Sequence, residues 1–438
     1  MPRRTRDREG LIVEVLEEAF ADLMAADQRA FRAKFRKMAA DPFAFYRGSA
    51  CLFYADVTSV DDEWADDRTS QVWIHGDLHA ENFGTYMNSQ GRLVFDVNDF
   101  DEAYLGHYTW DLRRFVASLA LLGWQKALPE DDVRALVGKY LRAYCTQVSH
   151  YTEVVDDDFA LRLDNTDGPV HDVLVTARGA SRVEMLDALT RFEGDVRVFA
   201  EDAGVRRLGK GERHDVERAF GAYLDTIPES KRFDRELFYE VRDVVGKAGF
   251  GIGSAGLPAY NVLVEGYSQS LDNDVVLSMK QANVPAVSRF VDSDRVERYF
   301  EHEGHRTVVS QRALQVHTDP LLGYTSLGGV GYVVAEISPY EADLDWGELT
   351  EPDDIAAVVA ALGRATAKVH CASDEDSEQD LVDFSTEEAI SAVLQGRRRV
   401  FVADLTDFAF DYARQVREDH ALFVDAFRSG RIGGVSAR

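Results

Sequence analysis

The stretch His75-Gly76-Asp77-Leu78-His79-Ala80-Glu81-Asn82, with Val97-Asn98-Asp99-Phe100-Asp101-Glu102 downstream, constrains this chain more than any other. It reads H-x-D-x-x-x-x-N and then D-F-D. Apolar segments precede both halves, Val72-Trp73-Ile74 and Leu93-Val94-Phe95, and they are expected to pair as a hairpin-like unit around the loop. Each residue type has a task there. Asp77 can orient a hydroxyl and accept its proton. Asn82 can offer a carboxamide oxygen to Mg²⁺, and Asp99 can bind the same cation, with Asp101 as a second ligand. His75 reads as a structural histidine bonding backbone near Asp99. His79 either contacts phosphate or packs, and Asp96 is expected only to hydrogen-bond the loop.

A second constellation begins at residue 241. Strand-like Val241 to Val245 leads to a glycine run that includes Gly251, Gly253, Ser254 and Gly256, then to a strand at 260–264. A polar turn follows, and a third strand at 275–280 ends in Lys280. Glycines between two strands disfavour a Rossmann fingerprint or a Walker loop, both of which open a helix. They suit a hairpin that folds over phosphates and presents backbone N–H groups without Cβ obstruction. Lys280 is placed to bind phosphate. After a charged helical segment, Asp294 to Gln315, the strand 331–337 ends in Glu336 and Ile337, assigned with the glycine loop to nucleotide binding.

The two sets together have the parts of a phosphotransferase in reversed order, since the glycine loop and Lys ordinarily precede the H-x-D loop. Two unrelated domains would explain this. A circular permutation that opens the chain just before the catalytic loop explains it better. Leu362-Gly363-Arg364-Ala365-Thr366-Ala367-Lys368-Val369-His370 resembles the helix that precedes H-G-D in aminoglycoside phosphotransferases, and it lies near the C-terminus, where permutation would leave it. Termini of compact domains are often close, so the rearrangement is physically allowed.

These residues resemble the kinase-like superfamily of aminoglycoside and choline phosphotransferases. More closely, the chain resembles the domain-of-unknown-function 2252 family. The segments that carry the resemblance include FYRGSA (45–50), HGDLHAENFG (75–84), FDVNDFDEAYLG (95–106), WDLRR (110–114), GIGSAG (251–256), MKQA (279–282), SQRALQ (310–315) and DPLLGY (319–324). The resemblance implies an α+β, bilobal, circularly permuted protein-kinase-like fold with ATP and Mg²⁺ between a small antiparallel β-sheet lobe and a large, mostly helical one. It implies the catalytic Asp at Asp77, metal ligands at Asn82 and Asp99, the phosphate-binding Lys at Lys280, and at Asp111 the helix acid that braces the loop. Gln281 departs from the family's Glu. The acid that pairs with Lys280 stays open among Glu297, Glu301 and Gln311. No acceptor is implied.

The expected division is residues 1–240 (N-terminal helices and catalytic loop, with 150–240 a helical cap), 241–340 (nucleotide lobe) and 341–438 (C-terminal helices). Residues 10–40 show helical periodicity that Asp41-Pro42 stops, and Phe43 to Tyr54 reads as a buried strand or short helix. Arg47 is read as bracing an acid rather than reaching phosphate. Arg113 and Arg114 are read as ion-pair scaffolding beside Asp111, and Phe43, Phe45 and Tyr46 as core.

A net charge of −28 argues against a nucleic-acid partner bound through a broad basic face. Nine Lys against 40 Arg, with many acids, fit either a high-salt cytoplasm or an ordinary acidic protein. Three cysteines without C-x-x-C spacing suit neither zinc nor a disulfide framework. The apolar run Phe115 to Trp124 is about half of the roughly 20 residues that a membrane helix needs. A cytoplasmic enzyme is expected: a phosphotransferase acting on a hydroxyl of an unknown acceptor. The alternatives are a nucleotide-binding regulator without turnover and an AMP transferase.

Overall fold

The computed structural model describes residues 2–154, 159–201, 204–233, 238–247, 257–291, 294–315, 317–375, 377 and 380–437, with side chains from Arg8 onward. Four helices open the chain: α1 (Pro2–Ala26), α2 (Gln28–Met38), α3 (Pro42–Gly48) and α4 (Ala50–Val57). The side chain of Asp27 caps α2 by accepting from the Ala30 amide at 2.9 Å, which divides the single helical period into two helices. Asp41 does the same for α3, with Pro42 at its first turn, so Asp41-Pro42 ends one helix and starts the next. The aromatic stretch 43–54 is helical, which settles the strand-or-helix alternative.

Four short strands follow: β1 (Val72–Ile74), β2 (Phe83–Met87), β3 (Leu93–Val97) and β4 (Tyr104–Gly106). Their pairing corrects the expected hairpin. β1 pairs with β4 and β2 with β3, both antiparallel, so the first two apolar segments lie in different ribbons. The strand before each half of the motif therefore pairs with a strand on the far side of a turn. The two turns, not the two strands, are brought together.

Helices α5 (Tyr108–Gln125) and α6 (Glu130–Tyr151) come next. Every residue of α5 from Tyr108 to Gly123 is buried, including Asp111, Arg113 and Arg114. A helix buried all round must find partners for its charges inside the protein.

The expectation of an all-helical 150–240 is corrected. After α7 (Gly168–Arg178) and α8 (Arg182–Leu189) come the hairpin β5 (Thr190–Glu193) and β6 (Val196–Phe199), then β7 (Val205–Arg207) and α9 (Lys210–Leu224). Thr190-Arg191-Phe192-Glu193 and Val196-Arg197-Val198-Phe199 alternate across a Gly194 turn, a strand signal hidden by the surrounding charge.

β8 (Val241–Lys247), β9 (Ala259–Val264) and β10 (Val275–Gln281) lead to α10 (Asp294–Tyr299) and α11 (Glu303–Gln315), then β11 (Gly323–Leu327) and β12 (Val330–Glu336). These five strands and β7 form one antiparallel sheet in the order β11-β12-β10-β9-β8-β7. One face packs on α9 through Val216, Phe220, Tyr223, Val262, Leu277 and Val334. The other packs on α8 and β6 through Leu186, Phe199, Val245, Leu263 and Val276. Residues of the expected cap thus cover both faces of the sheet.

Helices α12 (Pro352–Cys371), α13 (Thr386–Leu394) and α14 (Arg398–Arg428) complete an α+β chain. They share one large core with α1–α7. Arg8 of α1 donates to Asp56 of α4 at 2.6 Å and to Asp419 of α14 at 2.9 Å, which ties the two ends of the chain together. The three cysteines are buried, and no disulfide joins them. Among the described residues, no helix is long and apolar enough to cross a membrane.

Candidate active site

β1 delivers His75, and the chain turns at Gly76 with φ +80. A Cβ at Gly76 would lie 2.0 Å from the Glu102 carbonyl oxygen, so only glycine lets the H-x-D and D-F-D turns touch. The His75 and Gly76 amides donate to the Asp111 carboxylate at 2.6 and 2.9 Å. Asp111 is fully buried and also meets His370 Nε2 at 3.2 Å. His370 lies in the C-terminal helix α12, and Tyr144 shares its Nδ1 at 2.9 Å. His75 Nε2 donates to the Asn98 carbonyl at 2.7 Å, which leaves Nδ1 to accept from the Asp77 amide at 3.3 Å.

Asp77 is held by Arg114, whose Nε lies 2.5 Å from Oδ1. Arg114 stacks over Tyr46 at 4.4 Å and is fully buried. Burial pushes the Asp77 carboxyl above the usual range, and the Arg114 charge pulls it back. Oδ2 faces His79 Nε2 at 3.9 Å. Arg114 therefore pairs with the loop acid rather than with its helix neighbour Asp111, and Arg113 pairs with Asp62 at 3.0 Å. Burial and two nearby arginines hold His79 well below the usual imidazole value, so it is neutral at pH 7. Its Nε2 accepts from Arg47 Nε at 3.3 Å, and Arg47 also binds Glu81.

Asn82 donates from Nδ2 to the Asp77 carbonyl at 2.9 Å, and no donor among the described residues reaches its Oδ1. Asp99 adopts φ +59, a left-handed conformation that Asp tolerates better than most residues. Asp77, Asp99, Asp101 and Glu102 line a single cleft. Burial and the Asp99 charge push Asp101 up to about 6. Burial pushes Glu102 up to about 7, while its carboxylate accepts from the Ala286 amide at 2.5 Å. Among the described residues no three His, Cys, Asp or Glu side chains converge into a ready metal cage. The oxygen set nevertheless fits Mg²⁺, which binds through one or two carboxylates and keeps several waters. The unneutralised charge on Asp99 and Asp101 and the undonated Asn82 oxygen are what such a cation satisfies.

Lys280 is the penultimate residue of β10, opposite Ala259 of β9 and Val333 of β12. It has no ion pair among the described residues, so neither Glu297 nor Glu301 is its partner, and Gln311 bonds Gln315 at 3.1 Å. The acids that feel its charge are Asp101 and Glu341, the latter pushed up to about 7 by burial. At the end of β8, partial burial and the neighbouring Lys280 ammonium push Lys247 down. Gly251, Gly253, Ser254 and Gly256 lie outside the described residues. Glu336 pairs with Arg182 of α8 at 2.5 Å and is pushed up to about 7 by burial and by Asp319. The Ile337 amide donates to the Val276 carbonyl at 2.8 Å, so its donor is used by the sheet.

The sequence reading gives Arg114 an ion-pair role without its partner, Asp77, and gives Lys247 and Glu341 none. Lys247 and Glu341 carry no local signal, because only the tertiary fold brings them within the field of Lys280. Lys368 lies in α12. It pairs with Asp96 at 2.5 Å and donates to the Leu314 carbonyl at 2.6 Å, both deep in the core, so Asp96 does more than hydrogen-bond the loop. No curated protein and no solved structure matches this chain. Residues 26–426 match the family described as an uncharacterized protein conserved in bacteria, DUF2252, and the chain belongs to that family.

Proposed function

We propose that this chain is a Mg²⁺·ATP-dependent phosphotransferase on a bilobal, circularly permuted kinase-like fold, acting on a hydroxyl of its acceptor. The observation that carries the reading is that Arg306 of α11 donates to the Asp101 carbonyl at 2.9 Å and to the Asn283 carbonyl at 2.8 Å, three residues beyond Lys280. It ties the chain just after β10 to the D-F-D turn, two sets far apart in sequence, and the field of Lys280 at Asp101 agrees with it. The grip of α12 on Asp111 and Asp96 supports the permutation, because that helix braces the loop from the opposite end of the chain.

Asn82, Asp99 and Asp101 would hold Mg²⁺, which supplies neutralisation of phosphate charge when bound. Lys280 and Lys247 would hold phosphate oxygens. Asp77, with Oδ1 fixed by Arg114, presents Oδ2 to the acceptor hydroxyl and takes its proton. The acceptor oxygen forms the new P–O bond as the bond from the γ-phosphorus to the bridging oxygen breaks, and ADP leaves with that electron pair. Positioning and charge neutralisation carry such a step.

The test is calorimetric binding of a non-hydrolysable ATP analogue with and without Mg²⁺, alongside phosphate release from ATP. Mg²⁺-dependent binding that falls more than tenfold in Asp99→Asn is expected. No binding, or an unchanged affinity in the variant, overturns the reading. That no acid among the described residues pairs with Lys280 favours, as a second reading, a nucleotide-binding regulator. It predicts the same binding without phosphate release. Transfer of AMP instead of phosphate is separated by the mass added to an acceptor.

A further inference from the structure

The cleft has a second wall whose charge is opposite to that of its floor. Lys34 of α2 lines it and is 5% exposed. Its ammonium lies 4.2 Å from the Phe20 ring centroid and 5.6 Å from that of Phe31, and no hydrogen bond or ion pair reaches it among the described residues. The neighbouring acids are engaged elsewhere: Asp77 with Arg114, and Glu102 with the Ala286 amide. Arg289 lines the same wall and donates only to the carbonyls of Glu18 and Ala19, both at 3.1 Å, so its charge is not neutralised either.

A buried ammonium whose contacts are ring faces, with the Cys51, Glu102 and Asp77 side chains acting on it only through space, is costly, because these replace a small part of the water that it loses. In a chain of net charge −28, acids to neutralise it were abundant, yet among the described residues none forms an ion pair with it. Lys34 is separate from the phosphate-binding pair. Lys247 and Lys280 stand at the sheet end, whereas Lys34 comes from the N-terminal helices and lines the same cleft as Asp77.

We infer that Lys34 and Arg289 form an anion subsite, and that the acceptor is a hydroxyl compound carrying a carboxylate or phosphate group that binds there while its hydroxyl reaches Asp77. The subsite itself stands on the geometry; its assignment to an acceptor rests on the phosphotransferase reading. Burial lowers the Lys34 ammonium from its ordinary value, so a bound anion raises it again and strengthens its own attraction.

The test uses the full chain with Mg²⁺ and a saturating non-hydrolysable ATP analogue, titrated calorimetrically with inorganic phosphate in one arm and succinate in the other. One of the two is expected to bind, at least tenfold more weakly in Lys34→Met and within threefold of wild type in Lys34→Arg. The arm that binds identifies the anion class. Binding of neither, or equal binding in Lys34→Met, overturns the inference. Loss of analogue affinity in Lys34→Met also overturns it, because Lys34 would then be a nucleotide contact. An independent readout needs no variant: acetylation of Lys34 by acetic anhydride, mapped by mass spectrometry, should slow several-fold when the binding anion is added. An unchanged rate counts against the subsite. If the analogue fails to bind wild-type protein, the phosphotransferase reading falls, while the anion titration and the labelling still decide the subsite.

Discussion

The Lys368–Asp96 pair offers a measurable link between the C-terminal helix α12 and β3. Both side chains are 2% exposed, and they are 2.5 Å apart. Lys368→Met keeps the stem's volume and removes the ammonium. Asp96 then retains the Val97 amide, at 2.9 Å, and loses its cation. A buried carboxylate left alone typically costs about 3–5 kcal/mol. Protonation sets a ceiling on that cost. Taking up a proton at pH 7 from an unfolded-state value of about 3.9 costs about 1.36 × 3.1, or about 4 kcal/mol. At pH 5 the same step costs about 1.5 kcal/mol. The sign follows: in the variant Asp96 has a folded-state pKa raised above its unfolded one, so the folded state binds more protons and the loss grows as pH rises from 4 toward 7. Urea unfolding of variant and wild type at pH 5, 6 and 7 checks this. The expected difference is about 3–4 kcal/mol at pH 7, shrinking toward about 1.5 at pH 5. The double variant Asp96→Asn, Lys368→Met, with neither charge left buried, should recover most of it. A loss under about 1 kcal/mol, or one that does not change with pH, would refute a buried pair joining α12 to β3.

Two further outcomes follow from the site. Gly76→Ala forces a left-handed backbone on alanine and a 2.0 Å approach to the Glu102 carbonyl, so a loss of at least about 3 kcal/mol is expected in urea unfolding; a stable, nucleotide-binding Gly76→Ala protein would show that the two turns do not touch. Asp101, pushed up to about 6, must lose its proton to hold a cation, so Mg²⁺ affinity should rise as pH goes from 5 to 7 and then level off. In the absence of the cation the same raised acid makes stability fall over that window, as it does for Glu102 at about 7. Calorimetric titration of Mg²⁺ into the analogue-bound protein at pH 5, 6, 7 and 8 checks the affinity, and a flat profile would exclude Asp101 as a ligand.

The sequence by itself determined the chemistry-bearing residues and much of the local structure. Asp77, Asn82 and Asp99 lie close in the chain, so one loop and one turn specify them. The strands ending at Lys247, Val264 and Lys280 are written in runs of β-branched residues, and the caps at Asp27 and Asp41 in single side chains. Local rules of period, capping and turn chemistry act over a few residues, and these features needed nothing more. Only the tertiary structure decided which segments meet. The β1–β4 and β2–β3 ribbons, the entry of β7 into the large sheet, and the union of Asp111 with His370 and of Asp96 with Lys368 depend on contacts between residues distant in the chain. The same is true of the charges that remain unpaired. Lys34 sits in a helix whose spacing of apolar and charged residues reads as an ordinary solvated face. Its burial against Phe20 and Phe31, facing the cleft with no acid paired to it among the described residues, exists because α1 and α2 fold back over the loop. A side chain's desolvation and its partner are set by packing, and packing is not a local property of the sequence.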